Sequence, residues 1–179
     1  MIHGTVVGWQ YRWLNSTTSK GVAFLHGLAP SIIHQGLKSS NVVLDEDRSA
    51  KICDFGLTKL TQRVLELDFL TRLNHGCEAC VYVAPELFDA DKDLTDRSDV
   101  WALGCVVVET LTGRLPCDGE ADVLHVARRI VLRRQLPFSD WTGLPSGVQM
   151  LAEQAFSFDP TERIDAVHFL KGLHDCAPV

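Results

Sequence analysis

Two polar side chains, separated along the chain by a short β-type stretch, have the chemistry of a cation site. Asn41 ends the segment His-Gln-Gly-Leu-Lys-Ser-Ser-Asn, which begins at His34, and Asp54 opens the tripeptide Asp-Phe-Gly. Amide and carboxylate oxygens are the hard ligands that Mg²⁺ prefers. The alternative is that both side chains stabilise their loops through hydrogen bonds to the backbone, and the two roles are compatible.

The pattern around these residues predicts a mainly helical chain with one small hairpin. Short apolar runs at 41–44 and 50–53, joined by the polar turn 45–49, indicate two paired strands between the two candidate ligands. Helices are predicted from Thr17 or Thr18 to about Leu28, from Thr95 or Asp96 to Leu111, from Ala121 to Arg134, and over 146–156 and 164–173.

Five segments of the chain are more informative in their order than any one of them is alone. They are His34 to Asn41, Asp54 to Gly56, Tyr82 to Glu86, Asp99 to Gly104, and Asp159-Pro160 followed by Arg163. Together they resemble the C-terminal lobe of a protein kinase, across about residues 15–175. Lys38 makes the likeness one to serine/threonine kinases, and the surrounding sequence is similar to the tyrosine-kinase-like group. The resemblance implies an α+β fold, mainly α, with a residual segment at 1–14, a kinase-like C-lobe at 15–179 and no N-terminal lobe.

The resemblance implies catalytic roles for the first two segments. Asn41 and Asp54 would hold Mg²⁺ on the phosphates of ATP, and Lys38 would offset the charge of the transferred phosphate. The family has its catalytic base at position 36, but Gly36 has no side chain that can accept a proton. Gln35 replaces the family arginine that reads an activation-loop phosphate, and a neutral amide cannot form a charged bidentate pair.

Four other residues have structural roles in the resemblance. Asp99 would accept hydrogen bonds from the backbone of the catalytic loop, and His34 would brace the Asp-Phe-Gly loop. Glu86 would pair with Arg163 and tie the segment around Pro85 to the helical base. Such a buried pair is costly to break, by about 3–5 kcal/mol, when one partner is removed.

Further departures from the family concern the hydroxyl partner of the catalytic Asp and the nucleotide cleft. The family usually has Gly-Thr ahead of Tyr82, where this chain has Glu78 and Ala79, so the hydroxyl that meets the catalytic Asp is missing as well. Residues 1–33 contain neither Gly-x-Gly-x-x-Gly nor Val-Ala-x-Lys. We therefore expect the chain to lack the ATP-anchoring lobe and to show no kinase activity on its own.

Two functions are consistent with these matches and departures. The first is a truncated, catalytically impaired serine/threonine kinase-like domain, a pseudokinase, that acts as a binding or regulatory module. The alternative is a serine/threonine protein kinase, transferring phosphate from ATP to protein, whose ATP-binding lobe is encoded elsewhere or in a longer form. Mg²⁺ and ATP are the cofactors that the resemblance implies for the alternative.

The amino-acid composition argues against several classes of binding partner. The formal net charge of -6 over 179 residues argues against a general binder of nucleic acids or anionic membranes. The longest apolar stretch, Val100 to Val108, is far shorter than a membrane-spanning helix of roughly 20 residues. Six irregularly spaced cysteines and the lack of a signal peptide predict reduced thiols in a cytoplasmic protein. We expect a protein partner, such as a kinase or its substrate, and self-association if the apolar segment at 9–13 is exposed.

Two further clusters have alternative interpretations. The first consists of His75, Cys77 and Cys80, and it supplies three of the four ligands that zinc commonly takes. Free cysteines in a surface loop are the preferred interpretation, since a single Cys-x-x-Cys is a weak signal. The second consists of Arg128, Arg129, Arg133 and Arg134. A solvated helix end that complements the helix dipole is preferred there over a docking surface for anions.

Overall fold

The computed structural model describes residues 8–47, 49–55, 79–89, 94–120 and 122–176, with side chains from residue 14 onward. These residues form five α-helices and one two-stranded sheet. In chain order the elements are α1 (Gly8–His26), β1 (Val42–Leu44), β2 (Ala50–Ile52), α2 (Asp96–Thr112), α3 (Val123–Ala127), α4 (Ser146–Ala155) and α5 (Ala166–Asp175). The prediction of a mainly helical fold with one small hairpin is confirmed, and the division into 1–14 and 15–179 stays a prediction.

Helix α2 is the centre of the fold. Its residues from Ser98 to Val108 are all buried, so the helix is covered on every side, as its continuous apolar run predicts. Trp101 packs edge-on against two phenylalanines, Phe156 at 5.3 Å and Phe158 at 5.6 Å between ring centroids. The helix ends at Gly113, whose φ of 71° gives the left-handed turn that closes many helices.

Helix α1 begins earlier than predicted, at Gly8 instead of Thr17 or Thr18. The Thr18 hydroxyl donates to the Leu14 carbonyl at 2.8 Å, and the Ser19 hydroxyl donates to the Asn15 carbonyl at 2.7 Å. Both hydroxyls therefore bond back along a helix that is already formed, where the prediction had one of them capping its start.

The predicted hairpin is confirmed, with Val42 opposite Ile52 and Leu44 opposite Ala50 in antiparallel register. Asp45 closes the turn: its backbone N–H donates to the Ser49 carbonyl at 3.0 Å, and its carboxylate accepts the Ser49 N–H at 2.7 Å. The hairpin lies against α1, where a Cβ atom on Gly21 would be 2.6 Å from Ile52 Cδ1. A side chain at position 21 would therefore require the Ile52 side chain to move.

The helix predicted from Ala121 to Arg134 is wrong in its continuity. The α-helical part ends at Ala127, and a π-helical turn, Arg128–Leu132, follows it directly. The Asp122 carboxylate caps the start of α3 by accepting from the Leu124 N–H at 2.8 Å. The predicted helices at 146–156 and 164–173 correspond to α4 and α5, and the Asp165 side chain caps α5. No helix in the described part of the chain is both long and apolar enough to cross a membrane.

Candidate functional site

The loop that contains Gly36 is held from below by Asp99, in the first turn of α2. One carboxylate oxygen accepts the His34 backbone N–H at 2.7 Å, and the other accepts the Gln35 backbone N–H at 3.0 Å. The predicted role of Asp99 is therefore confirmed. The carboxylate also bonds to His26 Nε2 at 2.8 Å. His26, the last residue of α1, was not anticipated, because no local spacing signals a partner 73 residues away.

The His34 side chain joins the loop to the chain just after β2. Nε2 donates to the Cys53 carbonyl at 3.0 Å, while Nδ1 is buried without a hydrogen-bond partner among the described residues. Burial lowers the pKa of His34, and this effect outweighs the nearby Asp99 charge, which raises it. The imidazole is therefore neutral, with its proton on Nε2. It braces the residue next to Asp54, as predicted.

Position 36 has an ordered backbone and no side chain. Asn41 Nδ2 donates to the Gly36 carbonyl at 2.8 Å, and this hydrogen bond connects the two ends of the segment from Gly36 to Asn41. Gln35 has a left-handed backbone with φ of 66°, whereas Gly36 is not among the positive-φ residues. The shape of the loop is thus set by Asp99 and Asn41 and does not depend on a side chain at 36.

The candidate ligands Asn41 and Asp54 lie on neighbouring loops. The Asn41 carbonyl accepts the Cys53 backbone N–H at 2.9 Å, which brings the residue before Asp54 against Asn41. Since the Asn41 amide nitrogen is engaged with Gly36, its side-chain oxygen remains available as a ligand atom. Asp54 is exposed and left-handed, with φ of 63°. Half-buried Lys38 makes no ion pair with any described residue. Their roles stay predictions, and the chemistry of these side chains fits Mg²⁺ and phosphate.

The predicted pair between Glu86 and Arg163 is confirmed and fully buried. Two guanidinium nitrogens bind the two carboxylate oxygens at 2.7 and 2.8 Å, and the Ser98 hydroxyl donates to the same carboxylate at 2.8 Å. Burial alone would raise the pKa of Glu86, but the hydrogen bonds and charge of Arg163 hold it below its usual value. The guanidinium also lies over the Trp101 ring, 5.3 Å from the centroid. This pair fastens the segment around Pro85 to α2.

A second hydrogen-bond network, which is partly buried, was not predicted. The Tyr82 hydroxyl donates to Glu109 in α2 at 2.6 Å and lies 3.0 Å from the Ser39 hydroxyl, which therefore donates to it. Burial raises the pKa of Tyr82, and burial also raises the pKa of Glu109 despite the hydroxyl donor. Ala79 precedes this turn with only a methyl group. The network links the catalytic-loop region to α2, and only its long-range contacts reveal it.

Several predictions fall outside the described residues. They concern Gly56, Glu78, the side chains of the apolar segment at 9–13, and the two candidate zinc ligands His75 and Cys77. Cys80, the third candidate ligand, is buried, and its thiol donates to the Glu120 carbonyl at 3.8 Å. Within the described ranges, no three His, Cys, Asp or Glu side chains are grouped as a metal site. The zinc hypothesis stays untested.

Comparisons with known proteins agree with this geometry. A family model described as the protein kinase domain matches residues 3–173. The receptor protein kinase WSS1 of Oryza sativa subsp. japonica is 34% identical over 173 residues, which cover 87% of this chain and 18% of the relative. The proline-rich receptor-like protein kinase PERK12 of Arabidopsis thaliana is 38% identical over 122 residues, covering 65% of this chain and 16% of the relative. The chain thus spans less than a fifth of the length of these relatives.

Proposed function

The chain belongs to the protein kinase family, and on that premise we propose that it acts as a catalytically impaired serine/threonine kinase-like module, by binding another protein. One observation carries the proposal: position 36, where the family has its base, is a glycine within a loop that is otherwise fully braced. The group that is missing at position 36 is the proton acceptor, because the hydrogen bonds that hold the loop backbone are all present.

The size of the impairment follows from what a base does. In the family, the aspartate of this loop accepts the proton of the substrate hydroxyl as phosphate is transferred. A positioned general base is typically worth about 10²–10⁴ in rate. Gln35 is neutral where the family has an arginine, and Ala79 has no hydroxyl to meet a base. Loss of three cooperating groups together supports a binding role over a catalytic one.

Mg²⁺ and ATP are the cofactors of the family, and the described residues still fit them. Asn41 and Asp54 would hold the metal, and Lys38 would lie beside a phosphate and offset its charge. Bound Mg²⁺ would supply charge neutralisation of the phosphate oxygens. The Asn41 amide nitrogen bonds to the Gly36 carbonyl, so the side-chain oxygen is the atom of Asn41 that would bind the cation.

Exposed apolar side chains support a protein partner. Phe24 on α1 is 68% exposed, Val43 and Leu44 on β1 are each 46% exposed, and Phe55 is 49% exposed. These residues belong to α1, the hairpin that packs on it, and the chain just after β2. Large exposed apolar side chains on neighbouring elements mark interaction surfaces more often than scattered ones do. Self-association would use the same surface.

Light scattering over a wide concentration range tests that surface. We expect the wild-type mass to rise with concentration, and Leu44→Ser to suppress the rise. Met150→Ser is the matched control, because Met150 is 61% exposed on α4, a different element. A wild-type chain that stays monomeric throughout, or a loss of association with Met150→Ser alone, would count against this surface.

A second candidate function is ATP-dependent phosphotransfer to protein serine or threonine, with the ATP-binding lobe encoded elsewhere or in a longer form. The preserved bonds of Asp99 to the loop backbone favour it, because they keep the loop in one conformation. The φ of Gly36 is not positive, so its backbone conformation would also be accessible to a residue with a side chain. The two candidates share a fold and differ in chemistry.

Thermal unfolding with and without Mg²⁺ and ATP separates the two candidates. A ligand that binds only the folded chain raises the midpoint, and the rise continues with the logarithm of ligand concentration above its Kd. The binding-module proposal predicts no shift, because residues 1–33 contain neither the Gly-x-Gly-x-x-Gly loop nor the Val-Ala-x-Lys segment that hold ATP in the family. It also predicts no transfer of labelled phosphate to a basic test protein above that of Asp54→Asn. A midpoint that rises with Mg²⁺ and ATP, is lost in Asp54→Asn and is kept in the surface control Asp47→Asn would favour the kinase candidate. Phosphotransfer by the wild type above the Asp54→Asn background would overturn the proposal.

A further inference from the structure

An open cleft lies between the loop that follows α2 and the segment that contains α3. Its cavity volume is about 490 Å³. The loop contributes Asp118 and Glu120, and the opposite wall contributes Arg128, Arg129 and Arg133. Three arginines face two carboxylates here, so the cleft carries a surplus of positive charge in a chain whose formal net charge is -6.

The arginines of the cleft are not equally engaged. Arg129 donates to Asp118 at 2.7 Å from one terminal nitrogen, while its Nε is buried and has no hydrogen-bond partner among the described residues. Arg128 and Arg133 are exposed and make no ion pair with any described residue. Arg134, by contrast, lies outside the lining and over the Phe158 ring at 4.6 Å. The basic cluster therefore has two free cations and one partly used guanidinium in the cleft.

The π-helical turn explains why the two free arginines share one wall. Residues five apart in an α-helix point about 140° apart, which would place them on nearly opposite faces. Here the Arg133 N–H bonds to the Arg128 carbonyl at 3.1 Å, so the wider turn stacks the two residues one above the other. Single π turns inside helices occur frequently at functional sites.

The opposite wall has an unusual backbone. Cys117, Asp118 and Gly119 are all left-handed, with φ of 52°, 59° and 73°. A non-glycine residue in this region costs of the order of 1–3 kcal/mol and persists only where its surroundings fix it. The Cys117 N–H bonds to the Pro137 carbonyl at 2.7 Å, which ties this loop to the chain just beyond the arginines. The two walls are thus held in a defined relation.

We propose that this cleft binds a phosphate group through Arg128, Arg129 and Arg133. Planar guanidinium groups match the oxygens of a phosphate in bidentate geometry, and a phosphate monoester carries about -1.5 to -2 charges at neutral pH. The phosphate is that of a phosphorylated serine or threonine in a protein, or free inorganic phosphate, which share this chemistry.

Calorimetric titration with two probes tests the proposal: inorganic phosphate, and a short phosphothreonine peptide with its unphosphorylated form as reference. The double variant Arg128→Gln/Arg133→Gln is compared with Lys171→Gln, which removes an exposed cation from α5. We expect the double variant to weaken binding of the phosphorylated probe by about tenfold or more, as the loss of two charge-assisted contacts implies. Lys171→Gln should bind like the wild type.

Each outcome decides something. Tighter binding of the phosphopeptide than of inorganic phosphate supports the proposal with a protein as the source, and equal binding supports it with free phosphate. No binding of either probe, equal binding of both peptide forms, or binding unchanged in the double variant overturns it. Both replaced side chains are exposed and unpaired, so the fold should tolerate their loss. If the double variant unfolds, Arg133→Gln alone, with Arg133→Lys to keep the charge, gives the same comparison.

Discussion

Replacing Glu86 with alanine would leave the Arg163 guanidinium charged and shielded from solvent. The two side chains are 1% and 0% exposed, and two short hydrogen bonds join them. Arg163 would keep the Ser157 and Arg97 carbonyls as acceptors, at 2.9 and 2.8 Å, but it would lose its counter-charge. Removing one partner of a buried ion pair costs about 3–5 kcal/mol. This is a large share of the about 5–15 kcal/mol that stabilises a typical domain.

Urea unfolding followed by tryptophan fluorescence measures this cost, because Trp101 lies against the pair. With a denaturant slope of about 2 kcal/mol/M, the midpoint should fall by about 1.5–2.5 M. Glu86→Gln should fall by less, since the amide keeps the shape and one acceptor oxygen. Glu86→Leu combined with Arg163→Met should recover part of the loss, because no lone charge remains buried.

The exposed pair between Arg114 and Asp140 is the matched control. Its atoms are 2.9 Å apart, as close as those of the buried pair, but the side chains are 42% and 53% exposed. Asp140→Ala should therefore leave the midpoint nearly unchanged, because solvent already screens this pair. The reasoning is refuted if Glu86→Ala shifts the midpoint no more than Asp140→Ala. It is also refuted if Glu86→Leu combined with Arg163→Met loses as much stability as the sum of the losses measured for Glu86→Leu and for Arg163→Met alone.

Three further perturbations test other parts of the fold. Burial lowers the pKa of His34 below its usual value of 6.5, so the stability that its neutral form contributes is present above pH 6.5 and is lost as the pH falls below it. His34→Gln should therefore reduce the difference between urea midpoints measured above and below this pH. An unchanged difference would contradict the assignment. Tyr82→Phe should cost about 0.5–1.5 kcal/mol in urea unfolding, because half-buried Glu109 loses one of its donors, and a neutral effect would show that water replaces the hydroxyl. Gly104→Val should cost about 1–3 kcal/mol by the same assay, since even a Cβ there would lie 2.9 Å from Phe156; wild-type stability would mean that the two helices separate easily.

Much of the frame could be predicted from local pattern. The hairpin follows from two short apolar runs joined by a polar turn, and α2 follows from a run too apolar to face water. Glu86 with Arg163, and Asp99 with the loop backbone, followed from a family resemblance and not from spacing. The predictions for Glu86, Arg163 and Asp99 were correct because a buried charged side chain has few roles other than forming hydrogen bonds or ion pairs.

What could not be predicted depends on partners distant in sequence or on fine backbone geometry. The bonds from His26 to Asp99 and from Tyr82 to Glu109 join residues 73 and 27 apart, and no local pattern signals them. The π turn after Ala127 has the same amphipathic composition as an α-helix, so the hydrophobic periodicity predicted a continuous α-helix there. Thr18 resembles a helix cap in sequence and is instead a hydroxyl bonded back to Leu14.

The Asp99 carboxylate grips the loop only through backbone N–H groups, which every residue except proline possesses. These two bonds therefore place no demand on the side chains at Gln35 and Gly36 beyond excluding proline, although the left-handed backbone at Gln35, with φ of 66°, still favours some residue types over others. The loop thus combines a fixed backbone with side-chain positions that can change while both bonds to Asp99 remain. A change of a single side chain at position 36 can consequently alter the chemistry that the loop offers while the backbone that holds it stays the same.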